Sequence, residues 1–396
     1  MLWQPPLPDH YHRLTREALD ARIAQRKAEL GSSLVVLGHH YQADSVIRHA
    51  DFTGDSFKLS QLAAERVGEV GATHVVFCGV HFMAETADLL TEPDVTVLLP
   101  DMGAGCSMAD MADYDQTVDC HEQLTELYAR TGDRVRIIPV CYMNSSAAIK
   151  AFCGQHGGVV CTSSNCDRVF DWALAGGETP LEPGERVQIL FIPDQHLGRN
   201  TAAAAGFKVD VGEDPEAQMC VYDPRSPEPL GGATEAELAR STFVLWKGHC
   251  SVHKLFRPEH VDQARAEQPG ITVIAHPECS YQVCRKADAT GSTEGIIRAI
   301  ETAEPGSHWA VATEVHLVKR LAKAAAERGV HVRILSECQC LCTTMIRITP
   351  QHLLHTLDLL VEGKTPNAIR VHTDARGPAN LALQRMLDIT AASAAV

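Results

Sequence analysis

The stretch LVVLGHHYQ (34–42) decides the fold class, because it is the first of three similar copies in the chain. An apolar run ends in polar residues, and the same pattern returns in VRIIPVCYMNS (135–145) and ITVIAHPEC (271–279). Short Val-, Ile- and Leu-rich runs that alternate with amphipathic helical stretches are typical of parallel sheets in α/β proteins. We therefore predict an α/β fold in which each copy begins a small parallel sheet.

Working outward from these copies, we predict strands at ten apolar runs. A helical stretch from Tyr11 to Leu30 precedes them, and Gly31 is expected to end it. The runs are LVVLG (34–38), HVVFCGV (74–80), VTVLLP (95–100), VRIIPVC (135–141), VVCT (159–162), VQILFIP (187–193), TFVLW (242–246), ITVIA (271–275), WAVAT (309–313) and VRIL (332–335).

The first and third copies agree in their internal spacing. His39 and Ser56 are 17 residues apart (39 to 56), and His276 and Thr293 are also 17 apart (276 to 293). Ser163 takes the equivalent place in the middle copy. Each hydroxyl stands where a helix is predicted to begin, so it can cap the helix or leave the N–H groups to hold a carboxylate or phosphate.

Each copy also ends at a cysteine, namely Cys106, Cys250 or Cys342. The interval from histidine to cysteine is 67 residues in the first copy (39 to 106) and 66 in the third (276 to 342). The middle copy is longer, and its surplus falls in 206–240, which is rich in Gly, Pro, Asp and Glu and which we interpret as an insertion or long surface loop.

The repeat predicts three similar small parallel-sheet α/β domains in a pseudo-threefold arrangement around a central cluster and active site. We place them at 1–107 with an N-terminal helix, at 108–251 with the insertion, and at 252–396 with C-terminal helices. Equivalent strand ends would then meet, and one cysteine from each domain would converge there.

Three converging thiolates indicate a particular metal group. Structural zinc sites are closed by four ligands, commonly in CxxC pairs, and this chain has no CxxC. Electron-transfer clusters are typically held by four thiolates, whereas three leave one metal position open, as a Lewis-acid catalyst requires. We therefore predict one [4Fe–4S] cluster with three cysteine ligands and one open iron.

The remaining cysteines leave alternatives. In ECQCLC (337–342), spacing alone does not choose between Cys338, Cys340 and Cys342. Cys279 is expected to pack or to line the cavity. Residues predicted to belong to the core, because they lie inside strand runs, are Cys78, Cys141 and Cys161.

The composition of the chain limits the classes of function that it can have. The chain has 396 residues, 14 cysteines and a net charge of −15, which argues against nucleic acid as the main partner. We find no signal peptide and no apolar run that approaches the roughly 18 residues a membrane span needs. The sequence predicts a cytoplasmic protein with no membrane partner, in which cysteines act as ligands or nucleophiles rather than as disulfides.

Several motifs in this order resemble those of the quinolinate synthase family. They run from about residue 34 to 348 and are LGHHYQ, GDS, FCGVHFMAETADLL, MGAGCSMADM, CYMNSSAAIKA, CTSSN, KGHCSVH, HPEC, GST and CxTM. The resemblance implies condensation of iminosuccinate with dihydroxyacetone phosphate, with loss of phosphate and water, to give quinolinate for NAD biosynthesis. It also implies a three-domain α/β fold around a [4Fe–4S] cluster, and it makes an L-aspartate oxidase that supplies the imine a candidate partner.

Site residues carry over by motif. The implied cluster ligands are Cys106, Cys250 and Cys342, the last because the family's ligand directly precedes the xTM that is TTM (343–345) here. The implied substrate-binding residues are His39, Ser56, Tyr142, Met143, Asn144, Ser163, His276, Pro277, Glu278 and Thr293. For catalysis we expect Glu278, assisted by His276, to move protons, with Tyr41 and Tyr142 as relays.

Three other functions share some of these features. A hydro-lyase with an open iron would dehydrate a different hydroxy acid, an iron–sulfur sensor would catalyse nothing, and a zinc-site structural protein would be colourless and free of sulfide. The sensor predicts few convergent polar groups, whereas this sequence supplies a full set. The sequence does not determine the oligomeric state.

Overall fold

The computed structural model describes residues 4–209, 214, 216–337 and 340–394. Within them the chain forms two compact units. Unit 1 comprises 4–106, 314–320 and 341–372, and unit 2 comprises the described parts of 107–313, 321–340 and 373–394.

The helices and strands of the described residues alternate along most of the chain. The α-helices are α1 Asp9–His12, α2 Arg16–Leu30, α3 Asp44–Ile47, α4 Ser56–Val70, α5 His81–Leu90, α6 Tyr114–Thr131, α7 Ala147–Gln155, α8 Cys166–Leu174, α9 Gln195–Ala204, α10 Glu235–Arg240, α11 Pro258–Glu267, α12 Tyr281–Lys286, α13 Thr293–Glu301, α14 Val315–Ala326, α15 Pro350–Val361 and α16 Thr373–Ala394. The strands are β1 Leu34–His39, β2 Phe52–Gly54, β3 His74–Cys78, β4 Thr96–Leu98, β5 Val135–Tyr142, β6 Val159–Cys161, β7 Arg186–Ile192, β8 Met219–Tyr222, β9 Phe243–Trp246, β10 Thr272–Ala275, β11 Ala289–Thr290, β12 His308–Ala312, β13 His331–Ile334 and β14 Ala368–Ile369.

Unit 1 contains one sheet, with strand order β14-β4-β3-β1-β2. Its strands are parallel except for β14, which pairs antiparallel with β4. All six residues of β1 are buried, as expected for a central strand of a parallel sheet covered on both faces. Helices α2 and α15 pack together, as do α4 and α5.

Unit 2 contains two entirely parallel sheets, with strand orders β6-β5-β7-β9-β8 and β11-β10-β12-β13. Helix α16 packs along α7. Gly154 permits this close approach, because a Cβ there would lie 1.9 Å from the carbonyl oxygen of Pro378 in α16.

The three sheets share one arrangement of four strands. In each, the first strand of the copy lies between the second and the third, and the fourth lies beyond the third: β2-β1-β3-β4, β6-β5-β7-β9 and β11-β10-β12-β13. Strands β8 and β14 are additions beside the fourth strand. The predicted α/β class with three parallel sheets is therefore confirmed, and the repeat in the sequence is a repeat in strand order.

All ten predicted strands are present, and four more are found. The helix predicted over Tyr11–Leu30 is in fact two, because the Thr15 hydroxyl caps a new helix at Arg16 by accepting from the Ala18 amide at 3.3 Å. The stretch 206–240, interpreted as an insertion or long surface loop, contains β8 and α10, and its status as an insertion stays a prediction. Residues 210–213 and 215 of that stretch lie outside the described residues.

The division of the chain at 107 and 251 stays a prediction. The helices among the described residues include none long and apolar enough to cross a membrane.

Candidate active site

The polar residues singled out by the repeat lie at the carboxyl ends of the first strands. His39 ends β1, Tyr142 ends β5, and His276 directly follows β10. In open α/β sheets this end of the strands is where ligands bind. Each sheet thus presents its predicted groups at the edge where chemistry is expected.

The first and third copies also share a local turn. The Tyr41 amide donates to Nδ1 of His39 at 3.1 Å, and the Glu278 amide donates to Nδ1 of His276 at 3.3 Å. A ring nitrogen that accepts an amide proton carries no proton itself in that bond. The hydrogen bond therefore fixes both imidazoles so that Nε2 is available to donate.

The predicted hydroxyls lie at or near helix starts, but they do not cap the helices there. Ser56 and Thr293 are the first helical residues of α4 and α13, and the caps are the preceding Asp55 and Ser292, whose side chains accept from Lys58 N and Gly295 N. Ser163 lies three residues before α8. At α4 and α13, capping, one of the two roles considered from the sequence, therefore belongs to the preceding residue.

Unit 2 brings Tyr142 and Glu278 together in a buried cluster. The Tyr142 hydroxyl donates to Oε1 of Glu278 at 2.6 Å, and Nδ1 of His253 lies 2.7 Å from Oε2. Glu278 is 3% exposed. Both oxygens of a buried carboxylate are thus hydrogen-bonded, as its burial demands.

The neighbours of Glu278 control its charge. Burial raises the pKa of a carboxyl, but the charge and hydrogen bond of His253, the adjacent His276 and the Tyr142 hydroxyl outweigh burial and hold the pKa of Glu278 below its usual range. His276 lies 4.0 Å from Oε1, too far for a hydrogen bond. The histidine within hydrogen-bonding distance of the carboxylate is therefore His253.

His276 is itself buried and neutral. Its ring stacks on that of His253 with centroids 4.5 Å apart at 16°. Burial, and then the neighbouring His253, lower the pKa of His276 to about 3. At neutral pH this imidazole is uncharged and its Nε2–H is a hydrogen-bond donor.

A second acid lies near Glu278. Asp194 is fully buried before α9, and its Oδ1 accepts from His196 N at 2.7 Å. Burial, followed by the charge of Glu278, raises the pKa of Asp194 well above its usual range. Its Oδ2 has no hydrogen-bond partner among the described residues. Two carboxyl groups with pKa values pushed apart are typical of acid–base sites.

The predicted ligand cysteines differ from most others in exposure. Nine of the thirteen described cysteines are buried. The partly exposed ones are Cys106, Cys250, Cys284 and Cys342. Cys340 is fully buried, and Cys338 lies outside the described residues. All three cysteines predicted as ligands, Cys106, Cys250 and Cys342, are thus among the four partly exposed ones.

These three cysteines also occupy equivalent places in the fold. Each lies in the loop after the fourth strand of its sheet, namely β4, β9 or β13. Cys106 and Cys342 belong to unit 1 and Cys250 to unit 2. Burial raises the pKa of the Cys342 thiol, and its Sγ lies 3.5 Å from the Thr344 hydroxyl.

Within unit 1 an ion pair ties the Cys106 loop to the chain that follows Cys342. Arg347 Nε lies 3.3 Å from Asp101 Oδ2. A Cβ on Gly103 would lie 2.5 Å from the same Arg347 Nε, so glycine makes room for this guanidinium.

Among the described residues of unit 2, one group of side chains could hold a metal ion. Cys250 Sγ, a His253 ring nitrogen and a Glu278 oxygen all lie within 4.8 Å of one another. A thiol, an imidazole and a carboxylate are ligands of zinc and iron. The only predicted cluster ligand in this group is Cys250.

Fold and site together are typical of an α/β enzyme, with a buried carboxylate held by a tyrosine and a histidine close to a cysteine. A family model described as "NadA: Quinolinate synthetase A protein" matches residues 21–388. A quinolinate synthase of Acidobacterium capsulatum is 52% identical over 382 residues, 96% of this chain and 95% of the relative. Those of Corynebacterium glutamicum (48% over 390 residues; 98% and 92%) and Halalkalibacterium halodurans (47% over 382; 96% and 96%) are also similar.

The chain belongs to the quinolinate synthase family, whose function lies in NAD biosynthesis. The resemblance drawn from the motifs is confirmed.

Sequence reasoning did not assign roles to His253 and Asp194. His253 stands three residues after Cys250 in KGHCSVH, and Asp194 follows the strand run VQILFIP. A histidine so close to a candidate ligand, and an acid directly after a buried strand, are the signals that could have found them.

Proposed function

We propose that this enzyme condenses iminosuccinate with dihydroxyacetone phosphate, losing phosphate and water, to give quinolinate. The observation that carries the proposal is the buried Glu278 carboxylate, which is hydrogen-bonded by Tyr142 and His253. An oxygen of this carboxylate, a ring nitrogen of His253 and Sγ of Cys250 all lie within 4.8 Å of one another. Proton transfers are needed where a carbonyl compound isomerises and loses water.

In this proposal Glu278 is the base. It is ionised at neutral pH, and it accepts a proton at Oε1, where the Tyr142 hydroxyl already donates. Tyr142 then relays protons between substrate and carboxylate, and Tyr41 serves the same purpose at the end of β1. His276 is neutral, and its Nδ1 accepts a hydrogen bond from the Glu278 amide. Its Nε2 therefore carries the proton and donates to a substrate oxygen.

Substrate binding is proposed for the other residues at the same strand ends. His39 ends β1, whereas Met143, Asn144 and Pro277 lie in the loops after β5 and β10. The hydroxyls lie at or near the starts of α4, α8 and α13, namely Ser56, Ser163 and Thr293. N–H groups at a helix start favour anions, which suits carboxylate and phosphate groups.

The proposed cofactor is one [4Fe–4S] cluster held by Cys106, Cys250 and Cys342. When bound, its open iron supplies Lewis-acid chemistry for the dehydration. The partly exposed thiols after the three fourth strands support this ligand set.

We also propose a cytoplasmic location, with an L-aspartate oxidase supplying the imine. The use of cysteines as proposed metal ligands rather than as disulfides suits a reducing compartment. The net charge of −15 supports small-molecule rather than nucleic-acid partners.

The test is an anaerobic assay for quinolinate on reconstituted protein, with iron and sulfide quantified. Cys106→Ser, Cys250→Ser and Cys342→Ser should each lose the cluster and the product. Cys340→Ser is the matched control, because Cys340 is two residues from Cys342 yet buried, and it should keep both. A cluster-loaded wild type that makes no quinolinate would contradict the proposal.

A further inference from the structure

His253 makes contacts that the proposed catalysis has not yet used. It lies in the 3-10 turn His253–Leu255 and is 1% exposed. Nδ1 lies 2.7 Å from Glu278 Oε2, and Nε2 lies 3.2 Å from the Thr313 hydroxyl. The ring also stacks on His276. One side chain therefore contacts both members of the proposed proton-transfer pair.

The hydrogen bonds of His253 determine which of its ring nitrogens carries the proton. An ionised carboxylate only accepts, so Nδ1 of His253 must carry the proton in its bond to Glu278. Thr313 directly follows β12 and is fully buried, so its hydroxyl holds the other edge of the ring from a rigid element. The imidazole is thus held at both nitrogens, and its face is covered by His276.

The buried Glu278 carboxylate requires a hydrogen-bond donor at its second oxygen, Oε2. Its side chain must present Oε1 to Tyr142, and a buried carboxylate with one oxygen unpaired is unfavourable. The bond from His253 satisfies Oε2 and stops rotation of the carboxylate group. Misplacing a reacting group by about 1 Å lowers turnover by about 100-fold.

We propose that His253 is the positioning residue of the active site. Braced by Thr313, it fixes the Glu278 carboxylate through Oε2 and sets the plane of the His276 ring by stacking. The inference rests on the proposed role of Glu278 as the base.

The test compares two replacements of His253 in the reconstituted enzyme. His253→Leu keeps much of the volume but removes the donor, and we expect kcat to fall about 100-fold with KM for both substrates changed less than about threefold. His253→Asn places an amide N–H near the Nδ1 position, and we expect it to recover kcat to within about tenfold of wild type. Iron and sulfide content should be unchanged in both.

Two further variants and a control distinguish a positioning role from a purely structural effect. Thr313→Val removes the bond to Nε2, and we expect a fall in kcat of about fivefold, the equivalent of one ordinary hydrogen bond. Adding His253→Leu to Glu278→Gln should cost no further activity, because His253 acts through Glu278. His331→Leu is the control, because His331 also belongs to a stacked histidine pair but lies at the amino ends of the strands. Its kcat should match that of wild type.

The outcomes separate this inference from the proposed function. If Glu278→Gln is inactive while His253→Leu keeps kcat within about threefold of wild type, the positioning role is wrong and the base stands. If Glu278→Gln turns over normally, the proposed base is wrong as well. Loss of iron from His253→Leu and His253→Asn alike would make His253 a metal ligand and would also overturn the inference.

Discussion

Unit 2 contains two stacked histidine pairs that are nearly identical as pairs of rings. His253 and His276 have centroids 4.5 Å apart at 16°, and His308 and His331 have centroids 4.5 Å apart at 13°. The first pair lies after strands, is buried, and touches Glu278. The second pair consists of the first residues of β12 and β13, which are in register, and His331 is exposed.

The difference teaches that ring stacking does not by itself make a catalytic site. The carboxyl ends of parallel strands gather loops from several strands, whereas the amino ends of β12 and β13 do not receive those loops. Burial then forces charged and polar groups to satisfy one another, which changes their pKa values. A stacked histidine pair is therefore a proposed part of the catalytic centre at the carboxyl ends of the strands. A pair with nearly the same ring geometry is a surface feature at the amino ends.

The largest effect is expected from removing the carboxylate that sets the first pair apart. Glu278→Gln keeps the shape but abolishes the base, and we expect turnover to fall by about 1,000-fold or more. The anaerobic quinolinate assay measures this, with iron and sulfide content unchanged. Glu267→Gln, which removes an exposed ion pair with Arg333, is the control. Normal turnover in Glu278→Gln would remove Glu278 from its proposed role.

A smaller effect is expected when the other partner of the carboxylate is removed. Tyr142→Phe deletes the hydroxyl 2.6 Å from Oε1, and we expect kcat to fall about 10- to 100-fold because the relay is lost. Tyr128→Phe is the matched control, since that buried hydroxyl bonds Gln188 at 2.7 Å. It should cost about 1 kcal/mol of stability but no turnover. Equal kcat losses in the two variants would contradict a relay role.

The buried pair should also be visible in the pH dependence of stability. The pKa of His276 is about 3 in the folded protein and about 6.5 in an unfolded chain, so only the unfolded state gains its proton as pH falls between these values. Stability from this residue is present above about pH 6.5 and is lost as pH falls. Between pH 7 and pH 5 the loss is about 2 kcal/mol.

Urea titrations under anaerobic conditions at the two pH values measure this loss. His276→Gln should lose about 2 kcal/mol less than wild type between pH 7 and pH 5, because glutamine does not titrate. His253 and Glu278 face the ring and are present in both proteins, so the difference isolates His276. An identical loss in both proteins would show that His276 is not held neutral by its surroundings.

The smallest effect is expected from the pair at the amino ends of the strands. His331→Leu should leave kcat within about twofold of wild type and the free energy of unfolding within about 0.5 kcal/mol. The quinolinate assay and urea titration used above are the measurements. A large fall in kcat would mean that the two pairs differ less than their surroundings indicate.

The sheets could be predicted because their central strands are long apolar runs. The missed strands are short: β2, β11 and β14 have three, two and two residues, and β8 lies in a stretch rich in turn-forming residues. Two or three residues carry no periodicity. They become strands only because a neighbouring strand offers them hydrogen bonds, as β10 does for β11.

The site was predictable where a residue stands at a repeated place. Tyr142, His276 and Glu278 directly end or follow first strands, so the sequence marks them. His253 does not, because its partners are 25 and 60 residues away along the chain. No regular spacing in a sequence relates residues that are so far apart along the chain. Only tertiary packing brings these groups together.

The sequence by itself determined the class of fold, the threefold repeat and the identity of the residues at the strand ends. It could do so because strand periodicity, helix starts and motif spacing are local properties of the chain. The tertiary structure alone decided that His253, rather than His276, holds the Glu278 carboxylate, and that His276 is neutral. Both facts depend on burial and on contacts between distant segments, and a desolvated charge is governed by whichever partner packing places within hydrogen-bonding distance.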